Sequence, residues 1–595
     1  MAGRAFTLLL AGSAAAHAAA DLPVFTESAV ARGVEYVVTD GIFGGTGQYG
    51  CGVALVDLDN DGDQDIVATG ASSAQIALFA NDGTGHFINR TAQSGLPALS
   101  KVSGVAAGDY DGDGDLDLFF TRWLQPAVLY RNEGGLLFVN ATAVAMLTGI
   151  SGAGAGPSFG DFDGDGDLDL AVAVRTGTLQ NQMRNRFFRN NGNGTFTDIA
   201  AALGVDDGGA SFHCMLQDLD RDGDCDLYVS NDKGTPLLPN RYFRNTGGAF
   251  VSEDSNGAGI AIDSMGVCAG DLDMNGHVDI YCTNTPRGHA YLSSGDGRTY
   301  ERREGEAGIL GSATGWGALV FDADNDADED LFACSMAGAP EYLWLNESGF
   351  PLAERAAECG IGDAEDSYCL ASGDIDGDGD VDLLMQSRTV NLRLYANSAP
   401  AANRGLALRI VGTHKNRFAV GALVDIVVNG RTTLREVVAG SLYKSQSSML
   451  VHAGLGAETF ADRVTVRWPR VGGIREVREL VNVPAGFAVP VYPPSLIGDR
   501  DADGRVDPAD LAACDACVGA DFTAGCAAFD ANGDCRVTKL DRAAILLRLV
   551  DLSRDGAVGA ADITMLLDSW GRPDRDLTGD GLVDSADIAF MLAAW

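Results

Sequence analysis

A nine-residue acidic segment recurs seven times in the 595-residue chain, starting at Asp57, Asp109, Asp161, Asp218, Asp271, Asp322 and Asp374. Successive copies stand 52, 52, 57, 53, 51 and 52 residues apart. A period of this length calls for one supersecondary unit per repeat, each burying its apolar face against the next. The third copy, DFDGDGDLD, puts oxygen-bearing side chains at positions 1, 3, 5 and 9. Six of the seven copies have glycine at position 6, where the backbone must turn back sharply around a cation.

In chain order the four oxygen positions hold Asp57, Asp59, Asp61 and Asp65, then Asp109, Asp111, Asp113 and Asp117, then Asp161, Asp163, Asp165 and Asp169. The fourth copy has Asp218, Asp220, Asp222 and Asp226, and the fifth Asp271, Asp273, Asn275 and Asp279. Asp322, Asp324, Asp326 and Asp330 make the sixth, and Asp374, Asp376, Asp378 and Asp382 the seventh. This donor set suits a hard, oxygen-loving ion, and calcium is the expected cofactor. Without a cation, carboxylates about 4 Å apart would repel by several kcal/mol per pair. The fifth copy departs at Asn275 and His277, and the sixth has Ala327 in place of glycine, so the sixth site is expected to be the most altered.

A helix-flanked calcium loop needs an acid at position 12. Here that position holds Ala68, Phe120, Val172, Val229, Cys282, Ala333 and Met385. The flanks, such as GVAAGD before and DLDLFFTR after, have strand character, so each loop joins two β-strands. Two more strands follow in each repeat, making a four-stranded propeller blade. The last copy stops at LRLYANSAP, and its missing strand matches PVFTESAVARGV at residues 23–34. The expectation is a mainly β chain with a seven-bladed propeller closed by an N-terminal strand, which removes exposed sheet edges. Over residues 22–398 the motifs resemble the FG-GAP or VCBS repeats of integrin α-subunit propellers. That resemblance implies calcium on the side chains at positions 1, 3, 5 and 9, helped by the position-7 carbonyl.

Residues 1–20 combine Arg4, a short apolar run and a small-residue ending at Ala18-Ala19-Ala20, which predicts an export signal and a secreted, extracellular or cell-surface protein. No other apolar run is long enough to span a bilayer. A net charge of −41 argues against nucleic acid as a partner, and 46% hydrophobic residues with 77 glycines argue against a disordered acidic chain. The expected domains are residues 1–20, 21–400, 401–493 and 494–595.

Composition reverses in the third of these: residues 401–492 hold 12 Lys or Arg against 6 Asp or Glu. Short strand-like runs predict a small β barrel or sandwich. The stretch VGALVDIVVNGRTTLREVVAGSLYKSQSSMLVHAGLG, continued by ADRVTVRWP, resembles the ASPIC/UnbV domain. Two uses of its charge compete, docking onto the acidic propeller or binding an anionic glycan, with docking favoured.

Four further acidic loops close the chain, and these do end in an acid at position 12. Their candidate ligands are Asp499, Asp501, Asp503 and Asp510; Asp530, Asn532, Asp534 and Asp541; Asp551, Ser553, Asp555 and Asp562; and Asp576, Thr578, Asp580 and Asp587. Helical spacing follows each loop. Such loop-helix pairs resemble type I dockerin modules, the second pair more clearly, since the first departs at Cys535. The resemblance implies a tether to a cohesin-like domain, presented by a helix face with Ile563, Leu567, Ile588 and Leu592.

Three motifs imitate catalytic ones. GPSFG holds Ser158 at a strand position shared by other repeats, SLYK (441–444) lacks partner motifs, and CDAC (514–517) with Cys526 and Cys535 favours disulfides over zinc in an exported protein. Cys268 and Cys282 are candidates to pair across their hairpin. No catalytic residues are assigned. The functional expectation is a calcium-loaded adhesion or recognition protein with an extracellular protein or polysaccharide partner. A secreted carbohydrate-active enzyme is the alternative.

Overall fold

The computed structural model describes residues 22–498 apart from 38–48, 71–75, 176–182, 235–236, 286–288, 337, 348, 363–364, 388–389, 414 and 487. Beyond 498 it describes 506, 508–519, 524–531, 533, 536–550, 552, 560–567, 569–570, 577, 583 and 585–594. The expected export signal lies outside the described residues. Strand outweighs helix, 41% to 9%, so the chain is mainly β.

Each repeat is an antiparallel four-stranded meander. In the third repeat the strands are Ser151–Gly160, Asp169–Arg175, Arg186–Asn190 and Phe196–Asp198. The second strand, DLAVAVR, is buried at every position, as a strand covered on both faces must be. In the outer strand only Phe196 is buried. The first strands of successive repeats pack on one another in chain order, and Ser367–Gly373 of the last packs on Val53–Val56 of the first, so the order of contacts is circular. Thr26–Glu27 supplies the fourth strand of the last meander, pairing antiparallel with Arg393–Ala396 through Thr26 with Ala396 and Glu27 with Tyr395. The third and fourth meanders share one sheet through a parallel bridge from Gly156 to His213.

Residues 405–491 form two sheets around one apolar core that includes Leu406, Leu408, Val424, Ile426, Val464, Val466 and Val489. Between the strands Arg431–Glu436 and Val451–Gly454 the chain leaves this domain and enters the middle of the circle. There Lys444, Ser445 and Gln446 are each 1% exposed. Gln446 N–H donates to the Val53 carbonyl at 3.0 Å, Leu55 N–H to the Gln446 carbonyl at 3.0 Å, and Val105 N–H to the Lys444 carbonyl at 3.0 Å. Farther round, Phe159 N–H donates to the Ala439 carbonyl at 2.9 Å and Ser448 N–H to that of Ser372 at 2.9 Å. The inserted segment thereby satisfies backbone groups of first strands that a hollow centre would leave to water. Gly52 permits the approach, because a Cβ there would sit 1.9 Å from the Lys444 carbonyl oxygen.

The C-terminal helices Pro508–Cys517, Lys539–Val550, Ala560–Leu567 and Ser585–Ala594 share one core containing Leu511, Phe529, Ile545, Leu566 and Met591. Both loop-helix pairs therefore belong to one packed unit. Cys517 and Cys526 form a disulfide with Cα atoms 5.6 Å apart. The proposed Cys268–Cys282 pair does not form. In their hairpin Val267 faces Cys282 and Cys268 faces Tyr281, and this one-residue offset sends the two sulfurs to opposite faces of the sheet, into separate cores.

Candidate metal centres

Within each strand-flanked loop, backbone donors fix two of the acids. The position-1 carboxylate accepts the position-6 N–H, as Asp161 does from Gly166 at 2.9 Å and Asp374 from Gly379 at 3.0 Å. The position-9 carboxylate accepts two. One oxygen takes the position-2 N–H, as Asp117 does from Tyr110 at 3.1 Å, and the other takes an N–H at the end of the third strand, here Asn132 at 2.9 Å.

What remains points inward. The carboxylate oxygens of Asp109, Asp111 and Asp117 lie within 4.8 Å of one another, as do those of Asp161, Asp163 and Asp169, of Asp218, Asp220 and Asp226, and of Asp271, Asp273 and Asp279. In the first loop the converging set is Asp57, Asp59 and Asp61. One buried oxygen of the position-3 acid has no hydrogen-bond partner in Asp59, Asp111, Asp163, Asp220, Asp324 and Asp376. Burial, reinforced by neighbouring carboxylates, pushes Asp109, Asp161, Asp218 and Asp322 up to about 7. Asp65 and Asp279 are held near 8, mainly by burial. Crowded carboxylates with orphaned oxygens are short of positive charge, and their hard oxygen donors fit a calcium ion.

The sixth loop is less altered than its Ala327 suggests. Ala327 takes the left-handed φ of +75° that glycine takes elsewhere, and its N–H still reaches Asp322 at 3.0 Å. The fifth differs more. There the position-3 acid, Asp273, accepts hydrogen bonds from the Ser293 hydroxyl at 2.8 Å and the Arg303 guanidinium at 3.2 Å.

An asparagine ending the third strand was not singled out from sequence. Asn132, Asn190 and Asn245 donate their side-chain N–H to the position-2 carbonyl of the preceding repeat, on Leu58 at 2.8 Å, Tyr110 at 2.7 Å and Phe162 at 2.7 Å. Asn346 and Asn397 do the same to Leu272 and Ala323, and Asn81 reaches Ile375 of the last repeat at 2.9 Å. The signal was present as an aromatic-x-Asn triplet (FAN, YRN, FRN, FRN, WLN, YAN), replaced by LSS in the fifth repeat.

The basic domain sits over this loop face. Lys415 pairs with Asp167 at 2.7 Å, Arg470 with Asp224 at 3.3 Å, Arg409 with Asp57 at 3.9 Å and Arg475 with Asp218 at 4.0 Å. Arg435 pairs with the buried Glu329, and Arg221 reaches back to Asp425 at 2.5 Å. The domain's positive charge is thus spent within the molecule, in the docked arrangement favoured from sequence.

Of the helix-flanked loops, Asp510, Asp530, Asp541, Asp562 and Asp587 are described and all are buried. Asp541 accepts N–H groups from Ala531 at 3.1 Å and Thr538 at 2.8 Å, and Asp587 accepts from Leu577 at 2.7 Å. Asp499, Asp501, Asp503, Asn532, Asp534, Asp551, Ser553, Asp555, Asp576, Thr578 and Asp580 lie outside the described residues. Ser158 is fully buried and donates its hydroxyl to the carbonyls of Ala439 and Gly440. Lys444 donates to the Tyr49 carbonyl at 2.7 Å.

Family models match two parts of the chain: an FG-GAP-like repeat at residues 57–120, 174–229 and 218–282, and ASPIC and UnbV at residues 412–491. The chain is similar to cartilage acidic protein 1 of Mus musculus, 26% identical over 465 residues that cover 71% of each. The Homo sapiens protein of that name is 25% identical over 507 residues, 78% of this chain and 74% of its own. Among solved structures, an Agrocybe aegerita lectin that recognises non-reducing terminal N-acetylglucosamine aligns at 18% identity and a TM-score of 0.36, over 52% of this chain and 81% of its own. Saccharomyces cerevisiae Sqt1 aligns at 10% identity and a TM-score of 0.37, over 62% and 100%.

Proposed function

We propose that this chain is a secreted, calcium-loaded recognition protein without catalytic activity, its seven meanders forming one seven-bladed propeller. The observation that carries the calcium reading is the orphaned position-3 oxygen, repeated in six loops and joined by converging carboxylates from positions 1 and 9 in the second to fourth loops and from positions 1 and 5 in the first. Calcium, when bound, supplies the positive charge these carboxylates lack and holds the loop between its two strands. Similarity to proteins named for cartilage and acidity agrees with an exported acidic protein. No described helix is long and apolar enough to cross a membrane. Because the basic domain covers the loop face, recognition belongs to the rim and the opposite face of the propeller.

The C-terminal unit serves as a tether in this reading. Its docking face is narrower than the one expected from sequence: Ile563 and Ile588 pack partly against the core, while Leu567 is 49% exposed and Trp570 51%. The side chain of Leu592 lies outside the described residues. A calcium-dependent pull-down with extracellular glycans and surface proteins tests the reading. Retention in calcium and release by chelator is the expected result. New reducing ends or unsaturated products in a polysaccharide digestion would overturn the non-catalytic assignment.

A further inference from the structure

The fifth strand-flanked loop has converging carboxylates like the others, but both oxygens of its position-3 acid, Asp273, are hydrogen-bonded. Asp273 uses one oxygen to accept the Asn275 N–H at 3.3 Å and the other to accept Ser293 and Arg303. Arg303 also bonds the Ser293 hydroxyl at 3.4 Å, so the two donors support each other. At position 5, Asn275 replaces a carboxylate with a neutral amide, whose N–H donates to the Ser294 carbonyl at 2.9 Å. At positions 5 and 7 this loop carries Asn275 and His277 where the other six carry aspartates, and a guanidinium is bonded directly to its position-3 acid.

Arginines occur near other loops without doing this. Arg131 of the second repeat stays 4.0 Å from Asp111 and turns to Glu133. Arg355 occupies the position of Arg303 in the sixth repeat and pairs with Glu347 and Glu358. Asp111 and Asp324 keep an orphaned oxygen. What distinguishes the fifth repeat is Ser293, a hydroxyl where the second to fourth repeats carry Arg131, Arg189 and Arg244 and the sixth Leu345.

The geometry points to Arg303 as a built-in replacement for the metal: with Ser293 it neutralises Asp273, so the fifth loop closes without calcium and the propeller loops bind six ions. This rests on the calcium reading above. Hydrogen-deuterium exchange on the full-length protein, read loop by loop in calcium and in chelator, separates the two. At a free calcium 100 times the dissociation constant, amides held by a site should exchange about 100-fold faster once the ion is removed. The expected result is faster exchange in six loops and an unchanged rate at residues 271–279. Loosening of all seven loops overturns the inference and keeps the calcium reading; loosening of none overturns the calcium reading itself. In Arg303→Ala, residues 271–279 should become calcium-dependent. If their exchange stays the same in calcium and chelator, Asn275 and His277 exclude the ion instead, and the role of Arg303 is refuted.

Discussion

Two kinds of acidic loop, one between strands and one before helices, close in the same way in this molecule. In the strand-flanked loops the final acid, at position 9, accepts the position-2 N–H, as Asp117 does from Tyr110. In the helix-flanked loops the final acid, at position 12, also accepts the position-2 N–H, as Asp541 does from Ala531 and Asp587 from Leu577. They differ in what the acid does next. Asp117 ties its second oxygen to another strand, whereas Asp541 takes the N–H and hydroxyl of Thr538 and lies in the first turn of its helix, where the helix dipole favours negative charge. A turn wrapped around oxygen donors thus specifies neither strand nor helix; the placement of the closing acid does.

The largest test of this comparison is metal removal. Each occupied site at 100 times its dissociation constant contributes about 2.7 kcal/mol, so chelation should lower the melting temperature of both units. Calorimetry that finds only the C-terminal unit affected would break the parallel. Next in size, Asp117→Ala should destabilise the propeller by about 2 to 5 kcal/mol, because it strands two buried N–H groups. Asp541→Ala should cost the C-terminal unit about as much, read from separate transitions in a urea melt. If either substitution costs under about 0.5 kcal/mol, closure by the final acid is not general.

Titration sharpens the electrostatic half of the comparison. Burial raises the position-1 and position-9 carboxyls of the folded loops above their unfolded value, Asp57 to about 6, Asp109 to about 7 and Asp65 to about 8. Their contribution is therefore fully present below about pH 4 and lost as pH rises through 8. In chelator the propeller transition should fall in temperature from pH 5 to pH 8, and calcium should flatten the decline. A flat profile in chelator would mean that the loop charges are already compensated by the docked basic domain. The smallest effect is expected from Ala327→Gly, which relieves a left-handed alanine and should stabilise the sixth repeat by about 0.5 to 1 kcal/mol in denaturant melts.

Sequence carried the repeat length, the strands on either side of each loop and the closing segment near Thr26, because period and alternation are local and repeated. Residues 437–450 were not legible as an insertion. Their small and polar composition has no period, and their destination is a gap that exists only once the first strands are assembled. Cys268 and Cys282 misled because equal distance from a loop says nothing about side-chain parity. Substitutions inside the motif mark loops five and six, whereas the groups that bond Asp273 in the fifth, Ser293 and Arg303, lie 20 and 30 residues beyond it.

The pairing of Thr26–Glu27 with Arg393–Ala396 has a consequence in time. Ser28 and Leu394, which meet in that strand pair, are 366 residues apart. At roughly 5 to 20 residues per second the ribosome needs about 20 to 70 s between making the first and making the second. Throughout that interval the earliest strand has no partner, and chains cut short before residue 393 never acquire one. Such fragments keep a sticky sheet edge at each end, while a finished chain hides both. The seam therefore acts as a test of completeness, separating whole molecules from prematurely terminated ones by exposed backbone alone.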